Sequence, residues 1–350
     1  MTWIAGFRSA VISPYEQIKL SEPRGFADQT VRQVLHLAGG GSRLRVRLTN
    51  HYGRAPLTIG SAAVDGRDLA FDGAGKVVIP PGQEAVSDPV DLAVADDLEL
   101  SLSFPEETGL ATYSHKPAEL AHIVGGESVE GRFFVSGVDV DAPADTAIAV
   151  AFGDSWFEGV GSTVGANHRS VDYLNRRLDR GWVVNQGIAG NRLLRDEIGE
   201  HALARFDRDV LATPGVTHVL VHFGINDLGL PGMVGEPPAT AEALVAGFTE
   251  LADRAHDAGL KIVVATIGPF AGAVYPGIST PEGLATRREV NEWIRTTDAF
   301  DGIFDVDRAV ADPASPDHIH PSLDAGDGMH LNDLGAQAMA GAVDLRTLAL

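Results

Sequence analysis

Apolar and polar positions follow one rhythm up to about residue 140 and a different one beyond it. In SRLRVRLTNHYG (42–53), Leu44, Val46 and Leu48 alternate with Arg43, Arg45 and Arg47. A period of two with one apolar and one charged face predicts a half-buried antiparallel strand. Short runs at 57–64, 76–82, 97–104 and 132–140 continue the pattern, with Gly, Pro or Asp clusters between them. That spacing predicts an all-β, jelly-roll-like sandwich, with no amphipathic helix before residue 140.

After Asp141-Ala142-Pro143-Ala144-Asp145, short apolar runs alternate with helical stretches. The runs at 146–154, 181–188, 217–227, 260–269 and 301–307 are nearly continuous in apolar residues, as strands buried on both faces must be. Residues 171–180, 238–259 and 285–297, and a last segment from Asn332, carry helical spacing. The second half therefore predicts an α/β domain with a parallel sheet covered on both sides. Two domains are expected, at 1–142 and 146–350. In such sheets ligands bind beyond the carboxyl ends of the strands.

Composition narrows the function. The 350 residues carry 27 Lys and Arg against 48 Asp and Glu, a net charge of −21. Nucleic acid and anionic membrane surfaces, which need basic patches, are not expected partners. The absence of cysteine excludes disulfides, thiolate catalysis and Cys-ligated zinc. No apolar run approaches the roughly 18 residues of a membrane helix. The first twenty residues do not read as a leader, which predicts a cytoplasmic protein, or a secreted one whose leader has been trimmed. The segment GGGS (39–42) lacks the frame of a phosphate loop and reads as a turn. Oligomeric state is not set by the sequence.

Four segments in the second half bring chemistry to strand ends or to the last loop. They are Gly153-Asp154-Ser155, Ala189-Gly190-Asn191-Arg192, Gly224-Ile225-Asn226-Asp227, and the stretch containing Asp327 and His330. Singly, each reads as a turn, a cap or a loop hydrogen bond. As an ordered set they supply what acyl transfer needs. Ser155 is the candidate nucleophile and His330 its base, since imidazole titrates near neutral pH. Asp327, three residues before His330, is the candidate that orients the ring. The N–H groups of Ser155 and Gly190 and the side-chain amide of Asn226 are candidate donors to an oxyanion.

These residues resemble the GDSL/SGNH family of esterases and lipases. The family's GDS block, Gly block, GxND block and terminal DxxH block match Gly153-Asp154-Ser155, Gly190, Gly224-Ile225-Asn226-Asp227 and Asp327-Gly328-Met329-His330, and the resemblance spans roughly 146–345. It implies a flavodoxin-like α/β/α sandwich, an oxyanion hole of Ser155, Gly190 and Asn226, and a triad completed by His330 and Asp327. No cofactor is implied. Trp156 departs from the family, which more often has Leu or Ile there; its ring either narrows the acyl side or packs. The first domain is similar to the β-sandwich preceding the hydrolase domain in bacterial members that act on acetylated carbohydrates. The resulting expectation is a serine esterase removing short acyl groups from a carbohydrate or small molecule. An acyltransferase with the same triad, or a carbohydrate-binding protein with an inactive hydrolase domain, is the alternative.

Other residues read as structural or as looser rivals to these. His318, His320, Asp324, Asp327 and His330 form a dense cluster that reads as a loose metal pattern or as loop hydrogen bonding. Asp324 and Asp333 rival Asp327 as orienter, and Asp333 is expected to cap the last helix with Asn332. His218 and His222 lie on a buried strand and are expected to be satisfied core or strand-end residues rather than ligands. Trp3, Trp182 and Trp293 are expected to pack, Arg192 to find an internal carboxylate, and Arg43, Arg45 and Arg47 to form a solvated face.

Overall fold

The computed structural model describes residues 1–348, which divide into two compact units, the first Met1–Thr146 and the second from Ala147 onward. Among the described residues the first unit contains strands and no helix. Its strands are β1 (Thr2–Arg8), β2 (Gln29–His36), β3 (Leu44–Thr49), β4 (Leu57–Ile59), β5 (Ser61–Val64), β6 (Arg67–Asp68), β7 (Val77–Ile79), β8 (Glu84–Val86), β9 (Asp97–Phe104), β10 (Tyr113–Ser114), β11 (Leu120–Ile123), β12 (Ser128–Glu130), β13 (Arg132–Phe133) and β14 (Val135–Ala142). An antiparallel sheet of order β1-β14-β3-β8 and a second of order β12-β11-β2-β9-β5-β6 make the all-β sandwich. Alternation builds its core: Leu44, Val46 and Leu48 of β3 and Leu98, Leu100 and Leu102 of β9 are all fully buried.

The arginines of β3 are not simply a solvated face. Arg45 lies opposite Asp139 in the β3–β14 register. Arg45 and Arg47 both bond the Asp139 carboxylate, at 3.2 and 2.8 Å, and Arg8 from β1 joins them at 2.7 Å. Arg43 bonds Asp141 at 3.0 Å.

The second unit is built on β15 (Ile148–Gly153), β16 (Trp182–Gly187), β17 (Val216–His222), β18 (Lys261–Ala265) and β19 (Gly302–Phe304), all parallel, in the order β16-β15-β17-β18-β19. This is the 2-1-3-4-5 order of flavodoxin-like folds, with helices between strands. Among the described residues the α-helices are α1 (Ser155–Glu158), α2 (Ser170–Asn175), α3 (Ala202–Phe206), α4 (Ile225–Met233), α5 (Ala241–Asp257), α6 (Pro281–Thr296), α7 (Val306–Val310), α8 (Asp333–Gly341) and α9 (Leu345–Leu348), and a π-helical turn, Asp207–Leu211, follows α3. In α5, Leu244, Phe248, Leu251 and Ala255 recur at helical spacing on the buried side, and Thr240 caps the helix by accepting from the Ala243 N–H at 3.2 Å.

Because β15 has β16 on one side and β17 on the other, the chain reverses direction across the sheet at β15. The carboxyl end of β15 is therefore the switch point where a ligand crevice forms. The expected strand at 217–227 ends earlier, at His222, and Asn226 lies in the first turn of α4.

Candidate active site

Strand register gathers three of the four sequence blocks. Gly153, the last residue of β15, pairs with Gly187 of β16 and His222 of β17. Ser155 follows two residues after Gly153, Gly190 three after Gly187, and Asn226 four after His222. All three blocks thus leave one rim of the sheet. Ser155 opens α1, whose cap is Asp154, with the carboxylate accepting from the Trp156 N–H at 3.1 Å.

The fourth block meets them there. His330 Nε2 lies 3.1 Å from Ser155 Oγ, and His330 Nδ1 lies 2.6 Å from Asp327 Oδ2. A carboxylate only accepts, so Nδ1 carries the proton and the neutral ring presents Nε2 as acceptor to the serine hydroxyl. The other oxygen, Oδ1, accepts from the backbone N–H groups of Met329 and His330 at 3.0 and 2.8 Å. Burial works to raise the Asp327 pKa. The hydrogen bond from the His330 ring, with these backbone donors, outweighs it and holds the carboxyl far below the usual carboxylate range. Tyr275 adds a donor the sequence did not point to, its hydroxyl reaching Asp327 Oδ2 at 3.1 Å.

The rival orienters lie elsewhere. Asp324 Oδ1 accepts from the N–H groups of Gly326 and Gly328, shaping the turn before Asp327. Asp333 does not cap α8, which is capped by Asn332 accepting from the Gly335 N–H at 3.0 Å. Asp333 instead takes the N–H and hydroxyl of Thr163 and pairs with His168, all at 2.8 Å. His320 bonds Ser322 at 2.8 Å. Among the described residues, the group whose His and carboxylate atoms converge as metal ligands would is His36, Asp96 and Asp97, where the central strands β2 and β9 of the first unit's larger sheet meet at one end.

The candidate oxyanion donors are held by their surroundings. Gly190 sits in a turn closed by the Asn191 N–H on the Ile188 carbonyl, at φ +78°, a conformation that favours glycine. A Cβ there would also lie 2.5 Å from Ile198 Cδ1. Among the described residues, the N–H groups of Ser155 and Gly190 donate to no group of the chain. Asn226 Nδ2 gives one hydrogen to the Asn191 carbonyl at 3.0 Å and keeps a second. Asp227, fully buried, accepts from the N–H groups of Leu193 and Leu194, tying the Gly190 loop to α4. Its carboxyl pKa is raised by burial, which outweighs these bonds and the Arg192 charge. Arg192 does find internal carboxylates: Glu197 at 2.6 Å and, more distantly, Asp227 at 3.9 Å.

Two further groups escaped sequence reasoning. Arg205 of α3, fully buried, donates to the carbonyls of Gly153 and Gln186, to Asn191 Oδ1 and to Asp209. One guanidinium thus braces the ends of β15 and β16 and the Gly190 loop. Its sequence signal, a lone arginine within ALARF, is the same as that of a solvated residue. His222 and Asp154, both fully buried, bond at 3.0 Å behind the nucleophile.

Residues 151–338 match the family model described as the GDSL-like lipase/acylhydrolase family. Solved structures similar to the chain include a Corynascus thermopiles (Myceliophthora fergusii) carbohydrate esterase family 2 enzyme plus carbohydrate binding domain, at 14% identity and TM-score 0.47 over 99% of this chain and 98% of that one. The native aryl esterase of M. smegmatis is similar at 16% identity and TM-score 0.46, covering 58% of this chain and 99% of its own. A GDSL-like lipase of Bacteroides thetaiotaomicron is similar at 14% identity and TM-score 0.45, covering 58% and 88%. No curated protein matches the chain.

Proposed function

We propose that this chain, which belongs to the GDSL-like lipase/acylhydrolase family and is a carboxylic ester hydrolase, works through an acyl-enzyme formed on Ser155. The observation that carries this reading is the continuous line from Ser155 Oγ to His330 Nε2 at 3.1 Å and from His330 Nδ1 to Asp327 at 2.6 Å. Ser155 Oγ attacks the ester carbonyl while His330 Nε2 takes its proton. Asp327, still ionised at neutral pH, holds the ring in that tautomer and stabilises the imidazolium that forms. The developing oxyanion is received by the N–H groups of Ser155 and Gly190 and the remaining amide hydrogen of Asn226. His330 returns the proton to the departing alcohol. Water, deprotonated by the same nitrogen, then releases the acid and restores Ser155.

The substrate we infer is a short acyl ester, acetyl above all, of a carbohydrate or other small alcohol. Its support is the two-unit organisation, an all-β sandwich ahead of the hydrolase unit, together with an acidic chain unsuited to polyanionic partners. Ser155→Ala is expected to reduce kcat by at least about a thousandfold, as loss of a triad nucleophile does. Near wild-type hydrolysis by the purified variant would falsify the nucleophile assignment. A series of p-nitrophenyl esters beside acetylated sugars tests the substrate: falling kcat/KM with chain length supports it, and a maximum at long acyl chains removes it. Products that carry the acyl group on an added alcohol rather than on water would point to acyl transfer.

A further inference from the structure

We propose that Trp156 is a positioning residue for His330, gripping the base-bearing loop through its indole N–H; this rests on the assignment of Ser155 and His330 above. Trp156 follows the nucleophile directly and is 4% exposed. Its Nε1–H donates to the Met329 carbonyl at 3.0 Å. The N–H of that same peptide group belongs to His330 and donates to Asp327 Oδ1 at 2.8 Å. The peptide that carries His330 is therefore held at both ends, by Trp156 on its oxygen and by Asp327 on its nitrogen. Fixing that plane fixes the direction in which the His330 side chain leaves the backbone. Two links cross the same seam one residue apart: Ser155 to His330, and Trp156 to Met329.

The indole is itself fixed. It stacks on the imidazole of His222, with centroids 4.9 Å apart and planes 15° from parallel. His222 bonds Asp154 Oδ1, the oxygen that also receives the Trp156 backbone N–H. The buried Asp154–His222 pair thus holds Trp156 by its backbone and by its ring. The ring also abuts Gly268, where a Cβ would lie 2.2 Å from it. A donor with so little freedom loses little entropy when it makes its bond. An aliphatic side chain at 156 could fill the space but would leave the Met329 carbonyl unpaired, and a buried unpaired acceptor is costly.

Trp156→Phe keeps a ring and removes the N–H. With p-nitrophenyl acetate, kcat should fall about tenfold with KM within about twofold of wild type. The packing control is Phe248→Leu, which trims a fully buried ring of α5. It should lower Tm at least as far while leaving kcat within about twofold. An unchanged kcat in Trp156→Phe, or losses that track Tm alike in both variants, overturns the proposal. The Ser155 assignment would survive either result, because Ser155→Ala tests it separately. A measurement on the unaltered enzyme stands even if Trp156→Phe does not fold. The Trp156 indole N–H, assigned by NMR, should exchange with deuterium far more slowly than a solvent-exposed indole, and fast exchange at that group would also overturn it.

Discussion

The two units bury charge to different ends. In the β-sandwich, Asp139 is fully buried and meets three guanidinium groups, from Arg8, Arg45 and Arg47. These are side-chain pairs between neighbouring strands, and they hold a sheet face together. Around the candidate site of the α/β unit, buried charges also reach for backbone. Asp227 takes the N–H groups of Leu193 and Leu194, Glu158 takes that of Ala189 at 2.5 Å, and Arg205 takes the carbonyls of Gly153 and Gln186. Every one of those backbone groups lies in, or at the root of, a loop bearing a candidate catalytic residue. A carboxylate paired with side chains stabilises the fold, whereas one that holds loop amides also sets geometry at the site. The two kinds of substitution should therefore separate stability from turnover.

The largest expected effect is at Asp327. Asp327→Asn removes the charge that stabilises the imidazolium and no longer selects the His330 tautomer. kcat should fall about a thousandfold or more, while Tm moves by only a few degrees. A kcat within tenfold of wild type would remove Asp327 from the triad. Next is Arg205→Met, which leaves the ends of β15 and β16 without their shared donor. It should lower kcat by about one to two orders of magnitude, by loosening the oxyanion loop, and cost about 3 kcal/mol of stability, because Asp209 loses a partner in a buried setting. Asp139→Asn is the contrasting substitution in the first unit. It leaves three arginines facing a neutral amide and should cost about 3 kcal/mol, yet the folded enzyme should keep its kcat within about twofold. A tenfold loss of kcat there would break the distinction between the units.

The same distinction explains what could be read from the chain. The central sheet was legible because its strands are buried on both faces and so are continuously apolar. The candidate site was legible because its residues stand in short blocks at strand ends and in the last loop. Strand β2 (Gln29–His36) is not marked in the sequence because the alternation that buries Val31 and Leu35 is broken between them: Gln33 is buried and Val34 exposed. The Gln33 amide makes both of its bonds to the backbone of Phe133, at 3.1 and 2.6 Å, standing in for a strand partner. The expected strand at 217–227 runs five residues past His222, through Asp227, because Ile225 prolongs the apolar run, while the turn to α4 depends on Gly224 at φ +112°. Helix α2 stops at Asn175, whose amide bonds both backbone groups of Val183 on the next strand, a contact invisible in helical spacing. Arg205, Tyr275 and the Asp154–His222 pair act through partners distant in sequence, so no local pattern marks them.

The smallest effect is a difference of sign. The Asp139 carboxyl is pushed up by burial but held below its ordinary range by Arg8 and Arg47, so its folded pKa is lowered. Its contribution is fully present above the unfolded value near 3.9 and is lost as pH falls through the folded one. Asp227 is the opposite case, with burial winning and the folded pKa raised. Its contribution is fully present below the unfolded value and is lost as pH rises through the folded one. Denaturant unfolding at a series of pH values should therefore show two trends. The deficit of Asp139→Asn relative to wild type should shrink as pH drops below about 4, as the wild-type carboxylate becomes protonated. The deficit of Asp227→Asn should shrink as pH rises, because wild type alone meets the growing cost of a buried charge. Deficits that move in the same direction with pH would mean that the Leu193 and Leu194 amides, with Arg192, compensate the Asp227 charge as fully as the arginines compensate Asp139. The contrast between side-chain and backbone pairing would then fail at the group where it is most exposed to test.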